Sequence, residues 1–221
     1  MWVVLFPIVF FAVFIGLFAA IAIYNWQKEK ERTRQLQITA GQLGWSFAAN
    51  APLNMIAGLE RFALFNQGHA KEIKNFMYGD ASDTKAAVFD FVYVTGYGKN
   101  RQTHYQSVVY LESPHLSVPS FSLRPEGLIY KIFTAFGYQD IDFGQRPGFS
   151  SQYILRGQDE QAIRQTFNDG LLSFYESYPG TCTDGGGNQL FLFRGGYRFQ
   201  PQEIQSYVGL GLNVLNLFPR Y

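Results

Sequence analysis

The sequence predicts an α+β protein: a single N-terminal transmembrane helix plus a mainly antiparallel sheet domain with helices packed on one face. Three observations predict it. The chain opens with a long uncharged run. Segments rich in β-branched and aromatic residues then follow one another as meanders. Helical stretches fall between them without the regular βαβ alternation that a parallel sheet needs. The divisions are residues 1–26 as anchor, 27–44 as a juxtamembrane helix and 45–221 as one globular α+β domain.

From Trp2 to Tyr24 there are 23 residues without a charged side chain. At about 1.5 Å of rise each they make a helix of about 34 Å, enough to cross a ~30 Å hydrocarbon core. Trp2 at one end, with Tyr24 and Trp26 at the other, matches the interfacial preference of amphipathic aromatics. Pro7 is tolerated in lipid as a kink. The rival is a cleaved signal peptide, with Ala20-Ile21-Ala22 as the cleavage site. Against it, no Lys or Arg precedes the run, which exceeds the about 7–15 residues of a signal-peptide core.

Lys28, Lys30, Arg32 and Arg34 follow the run, with Glu29 and Glu31 between them. The positive-inside rule then places the C-terminal domain in the cytoplasm. The four cations form a membrane-surface basic cluster, each attracted to anionic headgroups by about 1 kcal/mol. Within the anchor, Phe6, Phe10, Phe14 and Phe18 form one ridge, and Ala12, Gly16 and Ala20 recur at the same spacing on the opposite side. A small-residue stripe of that kind is a packing face for another membrane helix. The plain alternative is the ordinary composition of any membrane helix.

The chain has 18 basic and 17 acidic residues. Setting aside the four basic and two acidic residues after the anchor leaves 14 and 15, a net of −1. A domain that neutral has no basic face for nucleic acid, so no nucleic-acid partner is expected. The 22 Phe and 14 Tyr supply enough apolar area for a sizeable core. The single cysteine, Cys182, forms no internal disulfide, and no neighbouring cation activates it.

Residues 25–43 continue the helix out of the membrane, and Gly41 and Gly44 end it. Residues 45–47 are a short strand, and Pro52 opens a short helix to Glu60 with Leu53, Ile56 and Leu59 on one face. Strands follow at 71–78, 88–95 and 103–112, the last two a hairpin around residues 96–100, and another at 118–123. A helix is predicted over 126–136, strands over 140–143 and 152–156, and a helix capped by Asp159 that carries Ile163, Phe167, Leu171 and Phe174. Residues 184–188 read as a flexible glycine turn, and 189–194 with 197–199 as a second hairpin. Pro201 and Glu203 open the last helix.

The stretches FDFVYVTGYGK (89–99), THYQSVV (103–109), PSFSLRPEG (119–127), FGYQDIDF (136–143) and PGFSSQYILRG (147–157) give the chain a resemblance to a family of bacterial hypothetical proteins with one N-terminal membrane helix. The resemblance covers about two-thirds of the chain and implies the architecture alone. It brings no activity and no site residue.

Few residues carry chemistry. Asp140 and Asp142 share a strand face but lack a nearby His or third carboxylate, so a solvated face is the simpler reading. Asp90 interrupts an apolar strand and, if buried, needs an arginine or backbone N–H partners. His69, His104 and His115 have no zinc-ligand spacing. The Gly96-Tyr97-Gly98-Lys99 loop lacks the spacing of a phosphate loop. No catalytic, cofactor-binding or metal residues are therefore assigned, and no cofactor is expected. The expected function is a non-catalytic, membrane-anchored interaction protein, scaffold or accessory subunit of a larger membrane protein assembly. Its expected partners are membrane lipids and integral membrane proteins. The alternatives are a lipid- or small-molecule-binding module at the membrane surface, and a membrane-bound hydrolase whose site assembles only in three dimensions.

Overall fold

The computed structural model describes residues 2–127 and 140–219, with side chains from Val13 onward. Helix α1 runs unbroken from Trp2 to Gln42. Gly44, at φ 70°, reverses the chain, and the Trp45 N–H donates to the Ala40 carbonyl at 2.8 Å. This is the left-handed stop that favours glycine. Among the described residues no helix is long and apolar enough to cross a membrane; the side chains of residues 2–12, which open the apolar run, lie outside them.

The strands are β1 (Ser46–Ala51), β2 (His69–Ala81), β3 (Thr84–Thr95), β4 (Gln102–Glu112), β5 (Val118–Pro125), β6 (Tyr153–Gly157), β7 (Cys182–Gly187) and β8 (Gln189–Phe193). Among the described residues they form one eight-stranded sheet, ordered β1-β2-β3-β4-β8-β7-β5-β6 with every neighbour antiparallel. The predicted α+β class with an antiparallel sheet is therefore the observed one. The helices after α1 are α2 (Pro147–Ser150), α3 (Glu160–Thr166), α4 (Asp169–Ser177) and α5 (Ile204–Leu217).

Period-two alternation sorts the central strands into two cores. Ala86, Val88, Val109, Leu111, Leu190 and Leu192 face one core, which also takes Leu36 and Ala40 of α1, Ile163 of α3, Tyr175 of α4 and Val214 of α5. Phe89, Phe91, Tyr93, Val108, Phe191 and Phe193 face the other. Among the described residues no α-helix contributes to that second face. The segment 53–67, a chain of 3-10 turns, lays Ile56, Phe62, Leu64 and Phe65 onto it. Phe65 meets Phe91 and Phe191 edge-on, with ring centroids 4.9 and 5.1 Å apart. The short helix expected from Pro52 to Glu60 is replaced by these turns. Gly58, at φ 72°, breaks the run, and the turns spread Ile56, Leu59, Phe62, Leu64 and Phe65 over the sheet face.

Other expectations shift for local reasons. The helix capped by Asp159 is two helices: Asp159 accepts from Ala162 N and caps α3, while Asn168 accepts from Leu171 N and caps α4. Residues 140–143 are an extended segment, with Ile141 N–H donating to the Leu155 carbonyl at 2.8 Å and Leu155 N–H donating to Asp140 Oδ1 at 2.9 Å. Most of the helix expected over 126–136 lies outside the described residues. The largest departure is β7, where a glycine run read as a flexible turn is a buried central strand. A Cβ on Gly185 would collide with the Phe121 ring, so the glycine allows that ring to cross the strand. The β7–β8 turn falls at Gly187, φ 62°, and residues 197–199 return irregularly along β4.

Candidate functional site

Asp90 lies in β3 on the face that α1 covers, and it is 2% exposed. A buried carboxylate is costly unless fully paired, and this one is. Arg32 of α1 grips it with two parallel bonds, Nη2 to Oδ1 at 2.9 Å and Nε to Oδ2 at 3.0 Å, the bidentate geometry that guanidinium supplies. Ser107 Oγ donates to Oδ1 at 2.6 Å, and Asn75 Nδ2 donates to Oδ2 at 2.9 Å. Asn75 reaches it because β2 shifts register between Lys74 and Met77 and Asn75 takes φ 51°; a bulge of this kind re-aims a side chain. Arg198 adds a bond to Oδ2 at 3.1 Å and holds Glu29 of α1 with bonds of 2.7 and 2.8 Å. Arg32 Nη1 also donates to the Phe199 carbonyl at 2.9 Å.

Two arginines and two carboxylates thus bind α1 to β3, β4 and the segment before α5. Burial alone would raise the Asp90 carboxyl, but Arg32, Arg198 and Ser107 outweigh it and hold it below its ordinary value. The Arg198 hydrogen bond likewise lowers Glu29, against a smaller effect of burial. Arg32, expected at the membrane surface with its neighbours, instead points into the domain. Lys28, Lys30 and Arg34 remain exposed. Lys30 sits over the Trp26 ring, and Arg34 pairs with Glu31. Gly16 and Ala20 are exposed on α1, and the Ala12 side chain lies outside the described residues.

The same contacts set the direction of the helix. Trp45, just past its end, packs on Gly79, whose partner across the ladder is Ala86. Arg32 meets Asp90 further along β3. Arg198, which holds Glu29, lies over the Tyr105 ring, opposite Val92. Followed toward its N-terminus, α1 therefore climbs toward the β3–β4 hairpin tip at residues 96–101.

At that same end, on the opposite sheet face, the 53–67 segment stops short and leaves a cavity of about 720 Å³. Its floor includes Tyr93, His104, Gln106, Arg124 and Phe193, with Gln67 beside them and Lys99 and Arg101 on the hairpin. The Tyr93 and His104 rings stack with centroids 4.8 Å apart, and Thr95 Oγ1 lies 2.7 Å from His104 Nε2. Arg124 pairs with buried Asp184 and lies over the Phe193 ring. Gln106 Oε1 accepts from Gly196 N–H. Its Nε2 and the Oε1 of Gln67 are buried and have no hydrogen-bond partner among the described residues. Burial pushes the Tyr93 hydroxyl up to about 12 and the Cys182 thiol up to about 11, so both stay protonated.

The remaining candidates do not converge. Asp140 serves the Leu155 N–H, and the Asp142 carbonyl accepts from Arg164. His69 stacks on Tyr97, and His115 pairs with Asp83. Among the described residues no three His, Cys, Asp or Glu side chains gather as a metal site. Sequence reasoning missed Gln67, Gln106 and Arg198; a glutamine closing a run of turns or sitting in a strand carries no motif, and only the fold brings Gln67 and Gln106 to one cavity and Arg198 to Asp90.

Fold and site define a class: an α+β domain with an eight-stranded antiparallel sheet, clamped to a long N-terminal helix and open to a polar cavity on the sheet face opposite that helix. No family model matches the chain, and no curated protein does either. Among solved structures it is similar to the mycobacterial trehalose monomycolate transport factor A, TtfA, with a TM-score of 0.60 at 13% identity, over 86% of this chain and 97% of that one. At that identity the likeness is one of fold.

Proposed function

We propose that the chain is a membrane-anchored, non-catalytic accessory protein of a larger membrane protein assembly, with its sheet domain on the cytoplasmic side. One observation carries the reading: the Arg32–Asp90–Arg198–Glu29 junction. A flexible tether needs no buried ion pairs. A clamp whose members come from positions 29, 32, 90 and 198 makes helix and sheet one body, so the helix sets the domain's position. That serves a protein that must present a surface at a fixed height and angle. The uncharged run before Tyr24 supplies the anchor, and the Gly16/Ala20 side offers a close-packing face to another membrane helix. The solved relative in fold is by name a transport factor, which agrees with an accessory role.

The test is a gentle-detergent purification of the tagged full chain with mass and stoichiometry measured. The accessory reading expects a large assembly at fixed stoichiometry with an integral membrane protein. A chain that runs alone, with no partner in stoichiometric amount, contradicts it. Deleting residues 1–26 keeps the clamp and removes only the anchor, whereas deleting residues 1–35 also removes Glu29 and Arg32 and leaves Asp90 short of partners.

A second reading, a module that binds a lipid or small molecule, is favoured by the cavity. The hydrolase alternative lacks comparable support. Asp90 is committed between two arginines, and the buried Tyr93 and Cys182 are held protonated.

A further inference from the structure

We propose that the cavity beside the β3–β4 hairpin binds a hydroxyl-bearing phosphate ester, with Gln106 and the hairpin cations holding the phosphate and Gln67 accepting from a hydroxyl. The inference rests on the sheet face alone and not on the accessory reading.

Its volume of about 720 Å³ falls within the ~300–1,000 Å³ of small-molecule sites. Lys99, Arg101 and Arg124 line it, and among the described residues no Asp or Glu does. Asp184 offsets the charge of Arg124, so the surplus positive charge sits at the rim, on Lys99 and Arg101. Deeper in, two of the lining residues are more than nine-tenths buried, and each holds a polar atom with no hydrogen-bond partner among the described residues: a donor on Gln106, 3% exposed, and an acceptor on Gln67, 7% exposed. Native interiors seldom leave such groups unpaired. A bare anion could use the donor but not the acceptor. A phosphate ester with a free hydroxyl uses both, and it also suits the Tyr93–His104 wall, whose neutral phenol can donate.

Two sources share this chemistry: a soluble sugar or glycerol phosphate, and the headgroup of a glycerophospholipid. The hairpin tip lies at the end toward which α1 climbs, so a headgroup is within the reach of the geometry.

The full chain in phosphatidylcholine nanodiscs is titrated with glycerol 3-phosphate by calorimetry. Separately, it is titrated with short-chain phosphatidylglycerol in detergent. Binding of glycerol 3-phosphate assigns a soluble ester, and binding of the phosphatidylglycerol probe alone assigns a headgroup; either supports the site. Gln106→Leu and the double change Lys99→Ala/Arg101→Ala should each weaken the bound probe by about 10-fold or more, while Lys28→Ala/Lys30→Ala leaves it unchanged. Lys99 and Arg101 are exposed, so that double variant keeps its melting curve even if the Gln106 variant does not. No binding of either probe overturns the proposal. So does binding that the hairpin variants leave intact.

Discussion

Arg32 and Asp90 stand 58 positions apart in the chain and meet through two hydrogen bonds of 2.9 and 3.0 Å. The first belongs to a helix that continues into an uncharged run, and the second to the middle of the sheet. Their pairing turns what reads as anchor plus domain into one mechanical unit.

Arg32→Ala should destabilise the domain by about 3 kcal/mol, because it strips the main partner from a buried carboxylate. Lys28→Ala, Lys30→Ala and Arg34→Ala, whose side chains are exposed, should each change stability by less than about 0.5 kcal/mol. Urea unfolding of the four variants, monitored in the same detergent, separates the cation that clamps from those that face solvent or lipid.

The clamp also predicts an acid limb. The folded Asp90 carboxyl is held below its ordinary value of 3.8, so in the folded state it releases its proton more readily than in the unfolded chain. Its contribution is therefore fully present above about pH 4 and is lost as pH falls through the lower folded value. Glu29 acts in the same direction. Unfolding midpoints measured from pH 7 down to pH 2 should fall more steeply for the wild type than for Asp90→Asn. Equal slopes would remove Asp90 as the source.

Gly185→Ala should cost about 1–3 kcal/mol, since the new methyl meets the Phe121 ring inside a packed core. Gly16→Ala, where nothing lies within 4 Å of the added carbon, should leave the isolated chain's stability nearly unchanged. Thermal melts of the two variants check both statements.

Much of this fold is legible in the sequence, and the exceptions have physical causes. The β3–β4 hairpin announces itself in VFDFVYVT, and Asp159, Pro201 and Glu203 mark helix starts by capping chemistry that is purely local. β7 does not announce itself, because Cys182–Gly187 has almost no β-forming side chains. It is a strand because its neighbours β5 and β8 need a thin partner beneath Phe121. The 53–67 turns take their shape from the sheet face they cover. Asp90 shows in the sequence as a buried acid in want of a partner, but the partner's identity does not. Arg32 looks like its neighbours Lys30 and Arg34, and the face it occupies on α1 alone selects it. The cavity is less legible still, since its polar floor comes from four strands.

Cys182 should resist alkylation in the folded chain. It is 0% exposed, and burial raises its thiol from 9.0 to about 11, which lowers the thiolate fraction by about 100-fold at pH 8 before access is considered. Iodoacetamide labelling should follow global unfolding. Rapid labelling of the native protein would mean that the β7 end of the sheet opens on its own.

With α1 as the proposed anchor, the clamp should hold the β3–β4 hairpin toward the bilayer and the β2–β3 turn away from it. β3 separates the two by about 40 Å, at ~3.3 Å for each of its 12 residues. Spin labels placed through Lys99→Cys and Asp83→Cys, in nanodiscs carrying a headgroup-chelated relaxation agent, measure their heights above the membrane directly. Strong relaxation is expected at position 99 and little at position 83, with the difference lost in Arg32→Ala. Equal relaxation at the two positions in the wild-type background would overturn this orientation.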